Sequence, residues 1–129
     1  MNRSVLVDSD IVIDFLRGEK QAVVLLKTEA ETLCFSAVTV AEIHAGVRNE
    51  REEAEVDRLF SLFPVLAVTG DIAREAGRFV RRYRASDSME LPDALIAATS
   101  VVHGSVLFTL NVKHYPMLKN LKPPYRKKG

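Results

Sequence analysis

The chain reads as an α/β protein: a parallel sheet of about four or five strands flanked by helices on both faces. Two observations predict this. Its apolar runs are short and lack polar alternation, as in VLV, LCFS, VLAV and VLF, which marks strands buried on both sides. Between these runs lie segments whose apolar residues recur at helical spacing. Strands alternating with helices make parallel crossover units, and in such sheets a site lies beyond the carboxyl ends of the strands.

The elements follow in order. Residues 4–7 form a first strand, stopped by polar Asp8. Ile11, Phe15 and Leu16 then recur at helical spacing, with Gly18 as the stop. Residues 19–30 carry Val23, Val24, Leu25 and Leu26 between charged ends, a second helix. Residues 33–36 are apolar and brief, a strand by length. Ser36 or Thr39 caps the next helix, through Val40, Ile43 and Val47. Residues 50–63 place Val56, Leu59, Phe60 and Phe63 on one side of a charged helix that Pro64 ends. Residues 65–68 make another strand, and Thr69-Gly70-Asp71 opens a long amphipathic helix to about Arg84. Pro92 starts an Ala-rich buried helix over 93–102, stopped by Gly104. Residues 105–110 are the last strand.

At 129 residues the chain is one domain, over 1–121, with a basic, proline-containing and loosely ordered tail over 122–129. Apolar content of 47% and charged content of 27% are those of a water-soluble globular protein. No apolar run approaches the ~18 residues of a membrane span, and Asp8 and Asp10 interrupt any signal-peptide core. The expected setting is the cytoplasm. Cys34, the one cysteine, forms no intrachain disulfide and reads as a core residue. A formal charge of +1 argues against holding nucleic acid by bulk charge, yet leaves room for local patches.

Asp8 and Asp10 follow the first strand, Glu42 lies on the helix after the second, Asp93 starts the buried helix, and Asn111 follows the last strand after Thr109. All can reach one sheet edge. Three carboxylates brought together raise one another's pKa, a conflict that a hard divalent cation such as Mg²⁺ or Mn²⁺ removes. Such an ion suits phosphodiester hydrolysis. Each acid also has a plainer reading. Asp8 can cap the first helix, and Asp10 and Asp93 can sit in first turns where the helix dipole favours acids. Glu42 is harder to set aside, because it interrupts the apolar face of VTVAEIHAGV, where an unpaired buried Glu is costly.

The segments LVDSDIVIDFLRG, SAVTVAEIHAGV, LPDALIAAT and LFTLNVKHYP, in that order, resemble the motifs of PIN-domain proteins, most of all the VapC toxins of toxin–antitoxin pairs. The resemblance spans Leu6 to about Tyr115. It implies a Rossmann-like three-layer fold and a metal-dependent endoribonuclease in which Asp8, Glu42 and Asp93 hold Mg²⁺ or Mn²⁺. It casts Ser9, Asp10, Thr109, Asn111 and His114 as supporting residues. The family's fourth acid is missing or replaced here by Asn111, with His114 three residues on. The resemblance also implies an RNA substrate, a homodimer and a cognate antitoxin gripped by the region 45–63.

Other residues bear on the site. Arg74, Arg78, Arg81 and Arg82 share one helix face and are candidate RNA contacts, against the plainer reading of a solvated face. The terminal YRKKG offers further cations. Asp14 falls at the helix margin, His44 reads as a hydrogen-bonded helix residue, and His103 as a cation at a helix end. A catalytically impaired PIN fold that binds RNA or an antitoxin is the nearest alternative. The Asp-x-Asp of DSDIV also fits haloacid-dehalogenase-like phosphatases, but no acid pair follows Asp93. A receiver domain would leave Glu42 and Asp93 unexplained.

Overall fold

The structure, a computed structural model, describes residues 3–126. β1 (Val5–Val7) is followed by α1 (Ser9–Leu16) and α2 (Lys20–Thr28), then β2 (Leu33–Ser36), α3 (Ala37–Ala45) and α4 (Glu50–Ser61). β3 (Val65–Leu66), α5 (Gly70–Asp87), α6 (Leu91–His103) and β4 (Val106–Phe108) follow, and a short 3₁₀ turn spans Val112–His114. The sheet order is β3-β2-β1-β4, with every pairing parallel. Thus the first strand pairs with both the second and the last: Leu6 stands opposite Cys34 on one side and Leu107 on the other.

Strand alternation sends neighbouring side chains to opposite layers. Val5, Val7, Leu33 and Phe35 join the core built by α1–α4, with Ile11, Val12, Leu26, Ile43 and Val56. Leu6, Cys34 and Leu107 face the other way, onto Ile96 and Ala97 of α6. Ala94 and Ala98 of α6 then meet Ile72, Ala76 and Val80 of α5; small side chains let the two helices pack closely. Both faces of the sheet are therefore covered, giving three layers. Phe35, fully buried, packs edge-to-face on Phe60 and Phe63 at 5.0 and 5.7 Å. Truncating such a ring costs ~3–5 kcal/mol.

The caps explain the boundaries. Asp8 caps α1, accepting from the Ser9 amide. Ser36, rather than Thr39, caps α3, and Thr69 caps α5 through the Ile72 amide at 3.2 Å. Gly104, at φ 65°, ends α6 in the left-handed region that glycine adopts cheaply. The last two strands are shorter than their apolar runs, 65–66 and 106–108, and α5 continues past Arg84 to Asp87 because nothing before Ser88 breaks it.

The tail is less loose than its composition suggests. Tyr125 packs against the α1–α4 core, and its hydroxyl donates to Asp14 at 2.7 Å. Lys127 and Lys128 of YRKKG lie outside the described residues. Among the described residues no helix is long and apolar enough to cross a membrane.

Candidate active site

Asp8 is the first residue beyond β1, and its place as helix cap fixes its backbone in the extended region. Its Oδ1 accepts from the Ser9 N–H at 2.7 Å. Its Oδ2 accepts from the hydroxyls of Thr109 at 2.8 Å and Tyr115 at 2.7 Å. A carboxylate only 6% exposed thus has three donors, which is what lets charge sit at a buried strand tip.

Asp10 stands one step further into α1. Its Oδ1 accepts from the Ile11 N–H at 2.8 Å, and its Oδ2 from the Leu110 N–H at 2.8 Å. The Thr109 hydroxyl lies 3.3 Å from that Oδ2; with one proton, it favours the shorter contact to Asp8. Burial, and then the charge of Asp8, push the Asp10 carboxyl up to about 6.

Asp93, the third residue of α6, meets the His114 Nδ1 through Oδ2 at 3.2 Å. Its Oδ1 lies 3.4 Å from the Tyr115 hydroxyl. Burial and the neighbouring Asp8 raise its pKa, Glu42 adds to this, and His114 opposes it. One electrostatic neighbourhood therefore contains Asp8, Asp10, Glu42 and Asp93.

Glu42 differs from its sequence reading. It is exposed rather than buried on an apolar face, because α3 buries Thr39 and Ile43 and turns Glu42 outward. Its Oε1 accepts from the Ser9 hydroxyl at 2.7 Å, so it faces the first acid's neighbour. Ser9 also lies 3.3 Å from Thr39.

Ser9, Thr109 and His114 are thus brought to the acids. The Asn111 side chain is not: it is exposed and makes no hydrogen bond among the described residues, only its backbone N–H reaching Thr109 at 3.1 Å. Asp14, in the last turn of α1, is buried, 3% exposed, and takes the Tyr125 hydroxyl. His44 pairs with Asp57 at 3.1 Å, and Cys34 is a buried free thiol. Arg74, Arg78, Arg81 and Arg82 are all exposed on α5. Arg78 pairs with Glu75 at 3.6 Å, and Arg82 lies over the Tyr83 ring.

Two site residues escaped the sequence reading. Thr39 lies one helical turn before Glu42 and, though buried, shares with it the Ser9 hydroxyl. Tyr115 follows His114 directly, and its neighbour was the only signal available.

Among the described residues no three His, Cys, Asp or Glu side chains converge tightly enough to enclose an ion; hydroxyls hold the carboxylates instead. The donor chemistry nevertheless fits a hard divalent cation. Asp8, Glu42 and Asp93 offer only oxygen, and the pKa of Asp93 is raised first by burial and then by the negative charge of Asp8, the part that a cation would offset. From Glu42 a groove of about 550 Å³ runs between α1, α3 and α4, past Ile13, Leu16, Ile43, Val47 and Val56.

The model of the PIN domain family matches residues 5–116. The chain is 44% identical over 124 residues to ribonuclease VapC19 of Mycobacterium tuberculosis, covering 93% of this chain and 98% of the relative. It is also 44% identical over 128 residues to ribonuclease VapC10 of the same organism, covering 97% and 96%. A toxin–antitoxin complex from Klebsiella pneumoniae holds a chain of the same fold, with TM-score 0.83 and 27% identity, covering 96% of this chain and all of that one.

Proposed function

The chain belongs to the PIN-domain family, and from that premise we propose that it is a metal-dependent endoribonuclease, the toxin of a VapBC-type toxin–antitoxin pair. One observation carries the reading. Carboxylates from three distant segments share one electrostatic neighbourhood beyond the strand ends: Asp8 and Asp93 both approach the Tyr115 hydroxyl, and Glu42 takes the hydroxyl of Ser9 beside Asp8. The VapC19 and VapC10 likeness supports the reaction class.

In this reading Asp8, Glu42 and Asp93 hold Mg²⁺ or Mn²⁺, which when bound supplies charge neutralisation at phosphate and makes water more acidic. Thr109 orients Asp8 through its hydroxyl, and Ser9 orients Glu42. His114 holds Asp93 in place through Nδ1. Asp10 takes two backbone N–H groups, tying the start of α1 to the segment after β4. Asn111 contributes its backbone rather than a fourth ligand.

The arginine row of α5 supports an RNA track, since exposed guanidiniums read phosphate without regard to sequence. The groove beside Glu42, an apolar floor of Ile13, Leu16, Ile43, Val47 and Val56 with charged Arg17, Arg48, Glu52 and Glu55 along it, suits an amphipathic helical antitoxin segment laid against α3 and α4. The protein would work in the cytoplasm as a homodimer. In this reading the single domain is residues 1–121, and the described part of the tail, residues 122–126, is attached through Tyr125.

The test is cleavage of a structured RNA pool by the antitoxin-free protein in Mg²⁺, Mn²⁺ or EDTA, beside an Asp8→Asn, Asp93→Asn double variant. Metal-dependent cutting that the double variant loses is the expected result. Cutting that persists in EDTA would overturn the metal reading. Absence of cutting with any RNA would leave a PIN fold that binds without hydrolysing.

A further inference from the structure

Tyr115 is 1% exposed and packs among Leu6, Cys34, Ile96, Ala97 and Leu107. A phenylalanine would fill that apolar cluster equally well. The hydroxyl is what the core does not need, and a buried hydroxyl is costly unless paired. It is paired with Asp8 at 2.7 Å, and its second contact is Asp93 at 3.4 Å. We propose that Tyr115 is a positioning residue that fixes the Asp8 carboxylate so that it meets a cation through Oδ1 alone. The proposal rests on the metal-dependent reading above.

Lone pairs decide which oxygen is open. Asp8 Oδ2 already accepts from two hydroxyls, Thr109 and Tyr115, and so has no lone pair left over. Among the described residues Oδ1 accepts only the Ser9 N–H, which leaves one lone-pair direction open. Two hydroxyls on one oxygen also stop the carboxylate from rotating to offer both oxygens. The phenol is the donor here, because both of its polar neighbours are carboxylate oxygens, of Asp8 and Asp93. His114, the preceding residue, reaches the other oxygen of Asp93 at 3.2 Å. Two consecutive residues of one turn therefore set the spacing between Asp8 and Asp93.

Outer partners of metal ligands commonly change affinity by ~10–100-fold when removed. The test is Mn²⁺ titration calorimetry on the full-length chain, comparing wild type, Tyr115→Phe and Asp8→Asn, with circular dichroism to confirm folding. Tyr115→Phe is expected to bind Mn²⁺ about tenfold more weakly while keeping the wild-type far-ultraviolet spectrum. A role confined to packing would leave the affinity unmoved. Wild-type affinity in Tyr115→Phe, with binding lost in Asp8→Asn, would overturn the proposal and leave the metal reading standing. If wild type itself bound no Mn²⁺, both would fall together.

A second readout does not depend on that variant folding. In wild type labelled at tyrosine Cζ there are three tyrosines, and Tyr83→Phe and Tyr125→Phe identify two of the signals. The remaining one, from Tyr115, is expected to shift as Mg²⁺ is added. A Tyr115 signal unmoved by saturating Mg²⁺ would overturn the proposal.

Discussion

The two sides of the candidate site are built differently. On one, Asp8 is buried and takes three hydrogen bonds from Ser9, Thr109 and Tyr115. On the other, Glu42 is exposed and takes one, from Ser9. Asp8 is locked by backbone, sheet and core together, whereas Glu42 hangs from a helix face on a flexible stem. The difference separates two jobs that three equal carboxylates would share. A locked acid defines where charge is held, and a free one adapts to what arrives. It also separates stability from function, since the same loss of charge has different structural consequences on the two sides.

The comparison breaks most visibly at Asp8. Asp8→Ala removes a helix cap, worth ~1 kcal/mol, and leaves two buried hydroxyls with only their longer contacts, Thr109 to Asp10 at 3.3 Å and Tyr115 to Asp93 at 3.4 Å, each costing ~1–3 kcal/mol. Urea unfolding should show a loss of about 3 kcal/mol or more, and RNA cleavage should disappear. Glu42→Gln is the counterpart. Cleavage should fall by ~10² or more, the order expected when an electrostatic group is lost from a site, while stability stays within ~0.5 kcal/mol, as for exposed substitutions. Equal destabilisation by the two changes would mean that the sides are not distinct.

A third measurement sharpens the contrast through pH. The Asp10 carboxyl is pushed up from 3.8 to about 6. Between these values the folded chain holds a proton that the unfolded chain has released. Stability from this group is therefore gained as pH falls through 6 and lost as it rises. In EDTA, Tm should increase as pH falls from 7 to 5. Asp10→Asn should flatten that slope, and Glu42→Gln should leave most of it, because desolvation and Asp8 are its main causes.

The smallest effect is expected furthest from the acids. Arg78→Ala and Arg81→Ala should each weaken single-stranded RNA binding and reduce the salt slope by ~0.7 for each phosphate no longer neutralised. Filter binding across a salt series measures this. An unchanged slope would return α5 to the plainer reading of a solvated face.

Much of this was legible in the sequence. The strands announced themselves because parallel strands are buried on both faces, and the acids stood at their ends. The cap role of Asp8 was one of the two readings its residue type allowed, and the structure shows it. Glu42 misled, because the apolar letters around it suggested a buried helix face, whereas α3 buries only Thr39 and Ile43. Asn111 drew attention by position, but its side chain faces solvent. Tyr115 was missed for a physical reason: one chain position carries both a core ring and a site hydroxyl, and periodicity registers only the ring. The burial of Asp14 was not legible because its partner, Tyr125, lies 111 residues away.

The order of the sheet has a consequence for how the protein is made. β1 emerges early in synthesis, but the strand that pairs its other edge comes near the end. Asp8 receives its hydroxyl donors from residues 101 and 107 positions later. A ribosome part-way through the message therefore carries a chain whose first acid is in place but has no pocket. In the proposed role, a nuclease assembled in that order has no complete site until the residues that follow β4 have emerged.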